Sequence, residues 1–289
     1  MLRPDLLQPC ELREAICALS RPGAVALAGG TDLIPAMRRG EIAPRALVSL
    51  TQLPHVTSIR ATRSGVTIGA CVKVADLLTN ETIAQHLPLL AEVARDFGSP
   101  QIRAMATVGG NLCSAVPSAD LPLPLLVLEA RIQVTGPSGT RKIPIAGFFL
   151  GVGKTALRRG EFATAISAPR PPVRFGASWG KLTGRKAMDV AIAAAAASIV
   201  VKADGMTCRQ ARVGLGAVGP TPMRAPRAEA VLEGTALNRR LIGEAAQLAA
   251  MECQPISDLR ASAEYRREMI AVLVRRALTE ACRRAGARL

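Results

Sequence analysis

Residues 24–33 read Ala24-Val25-Ala26-Leu27-Ala28-Gly29-Gly30-Thr31-Asp32-Leu33. The first five are apolar, a run of strand length. Two glycines end it, and residues 33–39 then read as a short helix. Residues 46–50 form a second apolar strand, which completes a compact β-loop-α-β unit. Glycines let a backbone aim successive N–H groups into one concavity, and such a concavity holds phosphate oxygens. The N-terminus of the helix just beyond adds its dipole, and Thr31 adds a hydroxyl. The plainer reading is a tight turn in which Thr31 or Asp32 caps the helix. The stretch is not G-x-G-x-x-G, and the lysine of a P-loop is missing.

A second pair of glycines stands in Thr107-Val108-Gly109-Gly110-Asn111-Leu112-Cys113, which continues to Pro117-Ser118-Ala119-Asp120. Again a hydroxyl residue precedes the glycines, and Asn111 adds an amide. Asp120 precedes a helix, so it either caps that helix or accepts a hydrogen bond from a cofactor hydroxyl. Two such loops suggest one cradle for each phosphate of a pyrophosphate.

Around these loops, residues 11–19 have helical spacing and stop at Pro22-Gly23. Strands are expected at 56–61 and 66–70, about a Ser64-Gly65 turn, and helices at 74–78 and 87–97. Residues 98–120 read as a long loop and 121–130 as a helix. Strands at 131–135 and 141–143 flank the turn 136–139, and 162–168 is another strand. Pro169, Pro171 and Pro172 mark the main boundary. The alanine-rich stretch 191–197 favours helix by propensity. The β-branched residues that follow it and the Asp204-Gly205 turn favour strands, with 211–218 returning, and strands are the reading adopted. The tail is helical at 225–232, 240–251 and 263–285.

The chain has 289 residues, 49% of them apolar, with a formal charge of +15. Its lysines are Lys73, Lys142, Lys154, Lys181, Lys186 and Lys202; the other cations are scattered arginines. No basic block is interleaved with aromatics, so nucleic acid is not an expected partner. The charge suits an acidic partner or an anionic cofactor. Seven scattered cysteines with no C-x-x-C, and two histidines, make zinc improbable and point to a reducing compartment. No signal peptide is visible, and the longest apolar stretch, 190–201, falls short of the ~20 residues of a membrane span. A soluble, cytoplasmic protein is expected.

Three stretches, Ala28-Gly-Gly-Thr-Asp-Leu33, Ala106-Thr-Val-Gly-Gly-Asn-Leu112 and Ala119-Asp-Leu-Pro122, resemble the FAD subunit of the molybdenum hydroxylases. That group includes xanthine dehydrogenase, carbon monoxide dehydrogenase and 4-hydroxybenzoyl-CoA reductase. The similarity extends to Val213-Gly-Leu-Gly-Ala-Val-Gly-Pro-Thr-Pro222 and to Tyr265-Arg266. It implies an α+β fold: a vanillyl-alcohol-oxidase (PCMH)-type FAD-binding domain over 1–172, with subdomains at about 1–55 and 56–172. A C-terminal α+β domain like that of the CO dehydrogenase flavoprotein follows over 173–289.

The resemblance also implies site residues. The first loop, Ala26, Leu27, Ala28, Gly29, Gly30, Thr31, Asp32 and Leu33, wraps the pyrophosphate. Thr107, Gly110 and Asn111 match the second loop, and Asp120 matches the acidic ligand of the cofactor. Lys181 matches a basic residue near the flavin, and Val190 an aliphatic one at its reactive edge. Ile166 lies on the strand that touches the ring. Phe97 matches an aromatic near the cofactor or is a core residue, and Lys181 is otherwise an exposed lysine before a turn at 183–186.

No Cys or His stands where a covalent link is expected, so the FAD is non-covalent. The reductase carries an inserted loop with extra cysteines, whereas here Cys113 runs straight into Ser114-Ala115-Val116-Pro117. Similarity to the reductase at Arg38-Arg39-Gly40 and at 47–51 does not change that. Molybdopterin and the [2Fe–2S] cluster are thus expected only in partner subunits, a large and a small one. NAD, a quinone or another acceptor takes the electrons. The alternative is a self-sufficient flavin oxidase of a small molecule. It needs a base near the ring, and neither His55 nor His86 stands in a suitable context.

Overall fold

The computed structural model describes residues 4–185 and 188–289. Lys186, in the turn read at 183–186, lies outside them. Asp5–Leu7, Ala46–Ser49 and Ala24–Leu27 form a three-stranded parallel sheet in that spatial order. Parallel neighbours need a crossover; helix Leu33–Arg38 lies in the connection that carries the chain from Ala24–Leu27 to Ala46–Ser49. Ala24–Leu27 is therefore an edge strand, and its glycine turn opens at the rim of the sheet.

The second sheet is antiparallel and has five strands, in the order Ile59–Thr62, Gly65–Gly69, Phe162–Pro169, Arg131–Gly136, Gly139–Pro144. Six short helices fill the chain between its second and fourth strands in space. Two of them, Pro100–Met105 and Val108–Cys113, lie in the segment expected to be a loop. Each starts on a side-chain cap. Ser99 accepts from Ile102 N at 3.2 Å, and Thr107 accepts from Gly110 N at 3.1 Å. The caps and Pro100 at the first helical turn outweigh the poor propensity of the glycines. The helix expected at 87–97 is Pro88–Arg95, preceded by a separate helix Glu81–His86 that was not anticipated. Pro88, which has no N–H, separates the two.

The third sheet orders Phe175–Leu182, Ala193–Val201, Cys208–Gly216 and Met223–Arg224, all antiparallel. The alanine-rich stretch is thus a strand, as read. It is buried along its whole length and serves two cores by alternation. Ala193, Ala195, Ala197, Ile199 and Val201 face the helices of the tail, while Ala194 and Ala196 join the core of the five-stranded half. A strand covered on both faces shows no polar alternation, so periodicity alone cannot separate it from a buried helix.

The tail helices are Pro226–Leu232, Arg239–Glu252 and Ala263–Arg284. The last packs against Phe175–Leu182 so closely that a Cβ on Gly176 would lie 2.9 Å from Arg284 C and collide with Ala281 O. Gly176→Ala is expected to lose about 2–3 kcal/mol, a fall of roughly 5–10 °C in Tm, by overpacking backbone against backbone. Thermal unfolding followed by circular dichroism checks this; an unchanged Tm would refute the close approach. Among the described residues no helix is long and apolar enough to cross a membrane.

Candidate functional site

The fold brings the two glycine loops together. A Cβ on Gly29 would lie 2.8 Å from Met105 C and 3.1 Å from Ala106 Cα, and would run into Met105 O. Only a residue without a side chain allows this approach. Ala106 leads directly into Thr107, so the first loop lies against the root of the second.

Gly30 has φ +71°, a left-handed conformation natural to glycine. The N–H groups of Gly29, Gly30, Thr31, Asp32 and Leu33 have no acceptor among the described residues. Asp32 holds the N-cap position of helix Leu33–Arg38 without a side-chain bond, and Thr31 does not cap it either. The turn and the N-cap position of the plainer reading are present, but not the side-chain cap. Five adjacent amides without an acceptor thus stand at the end of a sheet, and such a run can bind an anion. Leu27 and Ala28 are half-buried and Ala26 is exposed, so this apolar edge strand leaves a face open beside the amides.

The second loop differs from expectation. Its amides are already engaged: Val108 N donates to Val72 O at 2.9 Å and Gly109 N to Ala70 O at 2.8 Å. Gly110 N donates to Thr107 Oγ1 and Asn111 N to Thr107 O. What this loop offers instead is the Thr107 hydroxyl proton and the Asn111 amide. Asn111 Oδ1 accepts from Leu121 N at 3.2 Å, which ties the loop to the start of helix Pro122–Val127. A Cβ on Gly109 would meet Ala70 Cα at 3.0 Å, so this glycine serves packing.

Asp120 does not cap helix Pro122–Val127. Lys181 Nζ, from the third sheet, lies 3.0 Å from each of its carboxylate oxygens. The two side chains are only 7% (Lys181) and 10% (Asp120) exposed. Burial pushes the Asp120 carboxyl up, against the charge and hydrogen bond of Lys181, which pull it down. Lys181 is therefore neither a surface lysine nor a lone cation. The pair joins the second glycine-loop segment to the C-terminal sheet.

The other expected site residues are placed less uniformly. Val190 is exposed, next to Asp189, whose Oδ1 accepts from Val190 N. Phe97 is 8% exposed and belongs to the main core, with its carbonyl accepting from Arg103 at 2.9 Å. Ile166 is fully buried in that core. Its strand neighbours Ala165 and Ser167 point the other way. Cys113 is pushed up to about 12 by burial, so at neutral pH it is an unreactive thiol. His55 bonds Arg60 in an exposed turn, and His86 ends helix Glu81–His86. Neither belongs to the glycine-loop segments.

Sequence reasoning missed the backbone bonds of two arginines. Arg103 Nη1 donates to the carbonyls of Arg95, Phe97 and Gly98, which anchors the turn before helix Pro100–Met105. Arg266, noted only as half of a dipeptide, is buried and bonded to three separate segments. An arginine-rich composition hides both.

A parallel edge strand, a run of amides without acceptors among the described residues and a second polar loop held against it are features suited to a phosphate-bearing ligand. Residues 2–171 match the model of the FAD binding domain in molybdopterin dehydrogenase, and residues 180–281 that of the CO dehydrogenase flavoprotein C-terminal domain. The chain is 38% identical, over 97% of both chains, to the carbon monoxide dehydrogenase medium chain of Afipia carboxidovorans. It is 31% identical, over 96% of both, to the xanthine dehydrogenase FAD-binding subunit of Escherichia coli O157:H7. Its fold matches a chain of carbon monoxide dehydrogenase from Hydrogenophaga pseudoflava with a TM-score of 0.94 at 34% identity, covering 98% of each. The chain belongs to the FAD-binding subunits of the molybdenum hydroxylase family.

Proposed function

We propose that this chain carries electrons for a cytoplasmic molybdopterin-dependent hydroxylase. It takes them from a small [2Fe–2S] subunit, which stands between it and a large molybdopterin subunit, and gives them to NAD, a quinone or another acceptor. FAD, when bound, supplies the two-electron redox chemistry; the residues of this chain bind and orient it. The observation that carries the reading is the run of unpaired amides from Gly29 to Leu33, which fits a diphosphate without any lysine.

We assign the FAD-binding unit to 1–172, in two parts divided near 55, and the companion domain to 173–289. In this reading Ala26, Leu27 and Ala28 lie along the cofactor, and Gly29, Gly30, Thr31, Asp32 and Leu33 enclose its phosphates. Thr107 donates its hydroxyl, and Gly110 leaves space beside it. Asn111 and Asp120 hold polar groups of the chain that links the phosphates to the ring, with Lys181 keeping Asp120 in place. Val190 covers one edge of the ring. Phe97 and the strand of Ile166 support it from the core.

Purification of the chain alone tests the proposal. It is expected to be yellow, with about one FAD per chain, and unable to oxidise an organic substrate. A chain that stays colourless in excess FAD, or one that oxidises a substrate unaided, would overturn it.

A further inference from the structure

Arg266 lies in the first turn of the tail helix Ala263–Arg284 and is 4% exposed. Its Nη1 donates to Ile192 O at 2.7 Å and to Ala217 O at 3.0 Å. Its Nη2 lies 2.7 Å from Asp258 Oδ1, and its Nε has no partner among the described residues. Leaving a buried donor unmet costs about 1–3 kcal/mol. An apolar residue of the same volume would avoid that, but no apolar residue bridges two carbonyls.

The two carbonyls belong to segments that lead straight to the flavin end of the site. Ile192 N donates to Leu182 O at 2.8 Å, which closes the base of the 183–191 connection. Lys181 stands just before that base, and Val190 just inside it. Ala217 holds a left-handed φ of +60°, rare for a residue with a side chain, and its N–H donates to Pro117 O at 2.9 Å. Pro117 lies in the turn that precedes Asp120. One guanidinium nitrogen therefore sets both approaches to the Asp120–Lys181 pair.

We infer that Arg266 is a positioning residue for the flavin site: by bridging Ile192 O and Ala217 O it holds Lys181 and Val190 in register with the Asp120 turn. The inference rests on the flavin reading above. Arginine is specific here because its planar fork reaches two carbonyls and a carboxylate together, whereas a lysine ammonium is a point charge on a flexible stem. Asp258 balances the charge and orients the fork, itself held by the N–H groups of Arg260 and Ala261.

The test uses full-length Arg266→Lys, Arg266→Met and Asp258→Asn, each beside the native chain. FAD affinity is measured by reconstitution, flavin environment by visible circular dichroism, and stability by thermal unfolding. Arg266→Lys keeps the charge and should still bind FAD at least tenfold more weakly, with an altered visible circular dichroism of the flavin that remains. Asp258→Asn should change that signal in the same direction and less. Should Arg266→Met not fold, the other two variants decide. A lower Tm with native affinity and native flavin signal in Arg266→Lys and Asp258→Asn would overturn the inference and leave a structural staple. A native chain that binds no FAD would overturn the parent reading as well, and is distinguished by the loss of flavin signal in every sample.

Discussion

Gly29→Ala is expected to release FAD from an otherwise folded chain. The new methyl group has no free volume: it would be 2.8 Å from Met105 C and closer still to Met105 O, both backbone atoms. A flexible side chain would give way; a backbone carbonyl can do so only by moving its segment. The first loop must therefore draw away from the root of the second, which would disturb the cradle proposed for the two loops. Overpacking of this kind costs about 1–3 kcal/mol, and if all of it falls on the bound state the affinity drops by up to roughly a hundredfold. Fluorescence titration of the apo chain with FAD measures it. Native affinity in Gly29→Ala would show that the two loops do not form one cradle. Gly176→Ala is the control, because it strains the packing of the tail helix and leaves the loops untouched.

Lys181→Met should produce the second large effect, and one that depends on pH. Removing one partner of a buried ion pair leaves an uncompensated charge and costs about 3–5 kcal/mol. In the native chain burial already holds the Asp120 carboxyl above its ordinary value, in spite of Lys181. A folded-state pKa above the unfolded one favours folding fully below the unfolded value, and the benefit is lost as pH rises through the folded value. Methionine removes the charge that pulls the carboxyl down, so its pKa climbs further. The stability deficit of the variant should then be larger at pH 7.5 than at pH 4, because more of the raised Asp120 carboxyl is protonated at the lower pH. Urea unfolding at the two pH values reads the difference. An equal deficit at both would mean that the lysine contributes packing rather than charge.

Much of this architecture is legible in the sequence, and the reason is local. The unit 24–50 announces itself by two apolar runs around a glycine pair, and the tail helices by an unbroken period and clear ends. The strand Phe175–Leu182 gave no such sign. Its glycines and polar residues suit a close helix on one side and a partner strand on the other, and both partners are distant in sequence. The helices at Pro100–Met105 and Val108–Cys113 were concealed because capping, a matter of single hydrogen bonds, outweighed glycine propensity.

At the site, residue types were legible and partnerships were not. Asp120 and Lys181 were each marked for the cofactor, yet 61 positions separate them and nothing in either neighbourhood pairs them. Gly109 and Gly110 looked like a second amide cradle until Ala70, Val72 and Thr107 proved to hold the amides of that loop. The strand of Ile166 is marked as a whole, without the residue that meets the ring, and successive side chains on a strand face opposite ways.

Ala193–Val201 lends its even-numbered alanines to one interior and its odd-numbered residues to the other. Neither half can swing away from its neighbour without baring a sheet of methyl groups to water. The molecule should therefore melt as one body, although two family models divide its sequence.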